Sequence, residues 1–150
     1  MMAAASAPGS RQYWTEIEKG YGESPVHAAL GLSLEITDSG DVKIHYRGLR
    51  DAQNRRGNLA GGAIAQMVDS AIVQNCRAML SHQDKLVTLE LKINYVRAGS
   101  PGVHVVAYGC IDHLGRTTAV GRARVEDQNG KLIALGSATV SIQRAPSVPA

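Results

Sequence analysis

The stretch GGAIAQMVDSAIVQNCRAML at residues 61–80 constrains the architecture most, because its apolar side chains recur at helical spacing while the runs around it alternate. Ile64, Met67, Val68, Ala71, Ile72 and Met79 share one face of the predicted helix. Beyond it, Val87, Leu89, Leu91, Ile93 and Tyr95 alternate with Thr88, Glu90, Lys92 and Asn94, which is strand periodicity. Three more strand-like runs follow at 103–111, 117–126 and 132–142, with turns at 112–115 and at 127–130, where Asn129-Gly130 favours positive φ. Ahead of the helix, runs at 32–37 and 42–46 flank a turn at 38–41, and 50–58 reads as a polar loop. Residues 12–21 predict a short helix with Tyr13, Trp14 and Ile17 on one side, after which Pro25 and Gly31 punctuate the chain. The order is two strands, one long helix, then four strands in a meander. Sequential hairpins make an antiparallel sheet, and the helix must cover its apolar face. The fold class is α+β, a sheet wrapped around one long central helix.

At 150 residues the chain suits one domain, expected over 11–143, between a leader at 1–10 and a flexible Pro-rich tail at 144–150. With 44% apolar and 19% charged residues it is neither a disordered chain nor a coiled coil. It has no Phe, so the core is expected to be built from Ala, Val, Ile, Leu and Gly. Scarce aromatics also argue against single-stranded nucleic acid as a partner, since such sites stack bases on aromatic rings. The net charge is +3, and all of the excess lies beyond Ala60, where nine basic residues face six acidic ones. A small anionic ligand suits that balance better than a polyanion. No uncharged apolar run approaches the roughly 18 residues of a membrane span, and the start lacks a basic, apolar signal. Cys76 and Cys110 read as buried thiols of a cytoplasmic protein, with a disulfide left open.

Nucleophile elbows, phosphate loops, dinucleotide fingerprints and zinc-protease motifs are all missing. His27, His45, His82, His104 and His113 have no metal-ligand spacing and read as surface or strand residues, so neither metal nor cofactor is expected. One segment stands apart: Asn54 in the loop, Gly61-Gly62 opening the helix, and Asp69 midway along it. Glycine at a helix start exposes N–H groups at the positive dipole end, where a developing oxyanion can sit. A carboxylate on an apolar face is costly unless it is paired or used. The plainer readings are that the glycines permit tight packing and that Asp69 bonds a neighbouring backbone. Eight residues separate Gly61 from Asp69, a rise of about 12 Å at 1.5 Å per residue. One carbonyl cannot meet both from the same chain. A catalytic reading therefore requires Asp69 of a second subunit and an obligate dimer with composite sites.

Strand–strand–helix–four strands, with N-x6-GG and an acid eight residues after the first Gly, resembles the hotdog-fold acyl-CoA thioesterases of the phenylacetate-degradation and 4-hydroxybenzoyl-CoA type. The resemblance covers roughly residues 32–142 and includes LELKINYVRAG after the helix. It implies that the Gly61 amide polarises the thioester carbonyl, and that Asp69 of the partner chain acts as general base or as nucleophile through an anhydride. Asn54 would place the carbonyl or the water, and Thr88 would assist the carboxylate. Gly62, Leu59, Gln66 and Val73 would line the substrate pocket. Coenzyme A phosphates call for basic groups, with Arg97, Arg116, Arg122, Arg124, Arg55 and Arg56 as candidates and Arg116 foremost. The resemblance further implies a homodimer that pairs into a dimer of dimers. The family reads His-Gly-Gly where this chain has Ala60-Gly61-Gly62. That departure carries the alternative of a non-hydrolysing acyl-CoA or acyl-carrier binding protein.

Overall fold

The structure, a computed structural model, describes residues 10–48 and 50–146. The expected leader, apart from Ser10, and the last four residues of the expected tail lie outside them. In chain order come α1 (Arg11–Glu23), α2 (Pro25–Leu30), β1 (Leu32–Ile36), β2 (Val42–Tyr46), a 3-10 turn (Arg50–Ala52) and α3 (Gly61–Ala78). Then follow β3 (Lys85–Tyr95), β4 (Val105–Leu114), β5 (Thr118–Asp127) and β6 (Leu132–Gln143). The six strands form one antiparallel sheet in the order β1-β2-β4-β5-β6-β3, with α3 packed against it: the α+β hotdog architecture.

The four later strands are not a simple meander. β4, β5 and β6 are hairpin-connected, but β3 crosses to the far edge and pairs with β6, Lys85 opposite Gln143 and Tyr95 opposite Ala134. Alternation tells which side chains share a face, not which strand lies alongside, so the crossover was not legible. Between the first helix and the sheet lies α2, where the sequence offered only punctuation. Pro25 supplies a helical φ at its first turn, and Gly31, at φ 66°, closes it in the left-handed region.

Ile64, Met67, Val68, Ala71, Ile72 and Cys76 of α3 are all at most 3% exposed. Met79, expected on that stripe, is the helix C-cap and faces solvent, because α3 ends at Ala78. Glycines of the sheet meet the helix. A Cβ on Gly109 would lie 2.6 Å from the Ala71 carbonyl carbon, and one on Gly121 would lie 2.8 Å from Ile72. Helix and sheet backbones thus approach more closely than larger side chains permit. Tyr13, Tyr21 and Tyr46 are also buried, which corrects the expectation of a wholly aliphatic core. Tyr13 tolerates burial because its hydroxyl donates to the carbonyls of Arg77 and Leu80, at 2.7 and 2.9 Å. Cys110 is a further correction: it is exposed, on the outer face opposite Arg122, while Cys76 is buried and both thiols are free.

Two buried polar side chains hold the edges of this arrangement. β2 pairs with β4 only over Lys43–Tyr46, and at Val42 the Asn75 side chain of α3 takes the strand's place. Its Oδ1 accepts from the Val42 amide at 3.0 Å and its Nδ2 donates to the Val42 carbonyl at 2.8 Å. Asp84, 5% exposed, accepts from the Ala145 amide at 2.9 Å and from Arg144 at 3.2 Å, fastening residues of the expected tail to the turn before β3.

Candidate active site

α3 starts without a side-chain cap. Its N-cap is Ala60, which has no acceptor to offer the amides of the first turn, and both Gly61 and Gly62 are exposed. A Ser, Asp or Asn cap would be worth about 1 kcal/mol over Ala. Packing does not explain the glycines either. A Cβ on Gly62 would meet nothing within 4 Å, and one on Gly61 would only touch Tyr95 at 3.4 Å. What the helix end does present is a bare N-terminus suited to an oxygen carrying negative charge.

That end opens on a cleft of about 310 Å³ lined by Asn54, Asn58, Leu59, Gly61, Ile64, Tyr95 and Arg97, among others. Four of the expected site residues therefore meet: Asn54, Leu59, Gly61 and Arg97. The Asn54 Oδ1 accepts from the amides of Arg56, at 2.9 Å, and Asn58, at 3.2 Å, so this side chain first organises its own loop. Its Nδ2 has no partner among the described residues and remains available as a donor. Leu59 is mostly core, 4% exposed and packed on Gly99. Tyr95 was not anticipated. It ends the alternating run of β3, and its hydroxyl donates to the Gly61 carbonyl at 2.8 Å, fixing the helix start against the sheet.

Asp69 lies two turns further along α3, half-buried, and the Thr88 hydroxyl of β3 donates to its Oδ1 at 2.6 Å. The partner of Asp69 is thus a side chain, not a neighbouring backbone. A charge-assisted bond to one carboxylate oxygen orients the group and leaves the other oxygen to act. Val73 sits one turn beyond, half-buried against the core. Gln66, one turn before, belongs to a polar cluster that the sequence did not reveal. Its Nε2 is 3.1 Å from the Ser70 Oγ and 3.3 Å from the His27 Nε2, while the His27 ring stacks on Tyr21 at 3.8 Å. The buried Tyr21 hydroxyl makes no hydrogen bond of ordinary geometry among the described residues. Burial pushes its pKa up to about 12; nearby Ser70 tempers the rise and the Asp69 charge adds to it. His27 was expected at the surface; α2 carries it into this cluster.

The remaining arginines do not converge on the cleft. Arg116 lies in the β4–β5 turn, where its carbonyl accepts from Arg144, near the C-terminal end of α3 and away from Gly61. Arg122 and Arg124 point from the outer face of β5 and pair with Asp112 and Glu126. Arg55 and Arg56 border an open depression beside Asn54. On the outer face the His45 ring bridges Glu35, at 2.6 Å, and His104, at 2.9 Å, and burial holds its pKa below the usual histidine range against the pull of Glu35. Among the described residues no three His, Cys, Asp or Glu side chains are arranged to hold a metal, and no helix is long and apolar enough to cross a membrane.

A family model for the thioesterase superfamily matches residues 56–134, just over half of the chain. Among solved structures, a mutant of the phenylacetic acid degradation protein from Thermus thermophilus is 28% identical, with a TM-score of 0.69 over 79% of this chain and 98% of that one. A protein of the Escherichia coli phenylacetic acid degradation operon is 21% identical, with a TM-score of 0.76 over 88% and 94%. A Bacillus halodurans protein solved with coenzyme A is 20% identical, with a TM-score of 0.76 over 88% and 87%. No curated protein matches by sequence.

Proposed function

Since the chain belongs to the thioesterase superfamily, we propose that it hydrolyses acyl-CoA thioesters at a site shared between two copies. The observation that carries this reading is the pairing of an uncapped, glycine-opened helix end with a carboxylate braced by Thr88, some 12 Å along the same helix. One protomer cannot close that gap on a single carbonyl. A second copy, with its helix alongside, can bring its own Asp69 to the first copy's Gly61, so the reading requires a homodimer. The family resemblance extends it to a dimer of dimers.

In this site the thioester oxygen rests on the Gly61 amide, with the Asn54 Nδ2 as a second donor. Asp69 of the second copy takes a proton from water as the water oxygen attacks the carbonyl carbon. The C–O bond forms, the carbonyl π pair moves to oxygen, and the resulting oxyanion caps the helix that Ala60 leaves open. Collapse breaks the C–S bond, the sulfur leaves as thiolate and takes the proton back from Asp69, and a carboxylic acid and free thiol result. The bound coenzyme A of the Bacillus halodurans relative supports that thiol carrier. In this scheme Gly62, Leu59, Gln66 and Val73 border the acyl group, and Arg97 in the cleft and Arg116 serve the carrier's phosphates. Direct attack by Asp69, through an anhydride, would use the same residues, and water cleaving that anhydride at the Asp69 carbon would carry solvent oxygen into its carboxylate. Two free thiols suit a cytoplasmic setting.

Ala60 favours a second reading, since the imidazole usual before the glycine pair is missing. The chain would then bind acyl-CoA or an acyl carrier without turnover. Thiol release from short, long and aryl acyl-CoAs separates the two. Hydrolysis that Asp69→Asn abolishes, and that Thr88→Val slows about 10- to 100-fold, supports the enzyme. Tight binding without turnover supports the carrier reading, and a fully active monomer would sink the shared site.

A further inference from the structure

The side of α3 that bears Asp69 carries polar groups to which the proton and bond changes of hydrolysis assign no step. We propose that His27 is a positioning residue: through Gln66 it fixes the Gln66 carbonyl oxygen beside Asp69 as an acceptor for an O–H group of the reactants. The inference rests on the thioesterase reading and adds residues to its site. His27 comes from α2, ahead of the segment that the family model covers.

The available hydrogens fix how this cluster is oriented. The His27 Nδ1 lies 3.0 Å from the Tyr21 carbonyl oxygen, which can only accept, so the ring hydrogen is on Nδ1. The Nε2 then accepts, and the Gln66 atom 3.3 Å from it is the amide nitrogen. The second hydrogen of that nitrogen goes to Ser70 Oγ at 3.1 Å. Both donors of Gln66 are spent inside the protomer. Its oxygen, on the other side of the carboxamide, has no partner among the described residues. Stacking on Tyr21, with the rings 15° apart, holds the imidazole that sets this orientation.

Gln66 and Asp69 are three apart on one helix, so their side chains are surface neighbours, about 5–6 Å between Cβ atoms. The Tyr21 hydroxyl, 4% exposed, lies near Ser70, and the Asp69 charge adds to the rise that burial gives its pKa. An O–H group can donate to Gln66 and accept from a neighbouring donor at once. Two sources supply one: the attacking water, or a hydroxyl on the acyl group.

Thiol release measured with acyl-CoAs that differ only by an acyl hydroxyl tests this, using wild type, Gln66→Leu, His27→Leu and His27→Gln, each checked for a wild-type thermal unfolding profile. Both leucine variants are expected to lose about five- to tenfold in turnover, and His27→Gln, which keeps an acceptor, should recover most of it. A loss in kcat on every substrate, with KM unchanged, identifies the water. A loss in kcat/KM confined to the hydroxylated member identifies the acyl hydroxyl. Gln66 is half-exposed, so Gln66→Leu keeps the test open if His27→Leu does not fold. The inference is overturned if Gln66→Leu turns over every substrate as wild type does, or if folded His27→Gln is as impaired as folded His27→Leu. Wild type inactive on the whole panel overturns the thioesterase reading itself and this inference with it.

Discussion

Gly109→Ala measures how closely the helix and sheet backbones meet. The added Cβ would sit 2.6 Å from the Ala71 carbonyl carbon, closer still to its oxygen, and 2.7 Å from the Asn75 Nδ2. These distances lie under the roughly 3 Å below which something must move, and the main obstacle is the backbone of a buried helix rather than a flexible side chain. Overpacking costs about 1–3 kcal/mol, and an immovable neighbour places this case near 3. Displacing Asn75 loosens its bonds to Val42 and adds roughly 1 kcal/mol. For a domain of this size, each kcal/mol moves the midpoint by about 2–4 °C, so a fall of roughly 10 °C is expected. Thermal unfolding followed by circular dichroism reads it directly. Gly62→Ala is the internal control: with nothing within 4 Å of its Cβ, it should leave the midpoint level or raise it. A Gly109→Ala midpoint within about 2 °C of wild type would refute the close approach.

Asn75→Leu removes the amide that stands in for a strand at Val42 and strands a buried N–H and C=O, so urea unfolding should show a loss of about 2–4 kcal/mol. Asp84 gives stability a pH dependence. Burial alone would raise its pKa, but the Ala145 amide and the Arg144 guanidinium together hold it below the usual carboxylate range. A carboxylate whose pKa is lowered by folding stabilises the native state at neutral pH, and this is lost as pH falls below about 4. Urea midpoints should fall more steeply below that pH for wild type than for Asp84→Asn; parallel curves would clear Asp84 of the role.

The helix and the β1–β2 hairpin were legible because periodicity reports burial directly. Val42, Ile44 and Tyr46 face the core and Lys43 and His45 do not, as alternation requires. β3 corrects the expected single apolar face: a bulge between Thr88 and Glu90 shifts the alternation, so Val87 and Leu89 face solvent while Leu91 and Ile93 pack on the core. Neighbour order was not legible, since β3 would present the same pattern beside β4 as beside β6. Within the site, spacing alone placed Gly61 and Asp69 and measured the gap between them. Thr88 came from family resemblance. Tyr95 and His27 escaped because their roles depend on contacts across 34 and 39 residues of chain, to Gly61 and Gln66, which no local pattern encodes. Arg116, chosen on family resemblance, lies within one protomer toward the C-terminal end of α3 and away from Gly61, so any role at the Gly61 cleft would fall to Arg116 of a second copy.

The crossover of β3 also bears on the order of events in folding. β3 is made before β4, β5 and β6, yet its sheet partner is the last of them. Until that final strand exists, the run holding Thr88 has no ladder to join. Its contacts span up to 58 residues of chain, from Lys85 to Gln143, and such distant pairings form slowly. The Asp69–Thr88 bond thus matures late, and a chain stalled before residue 132 would carry the carboxylate without its brace.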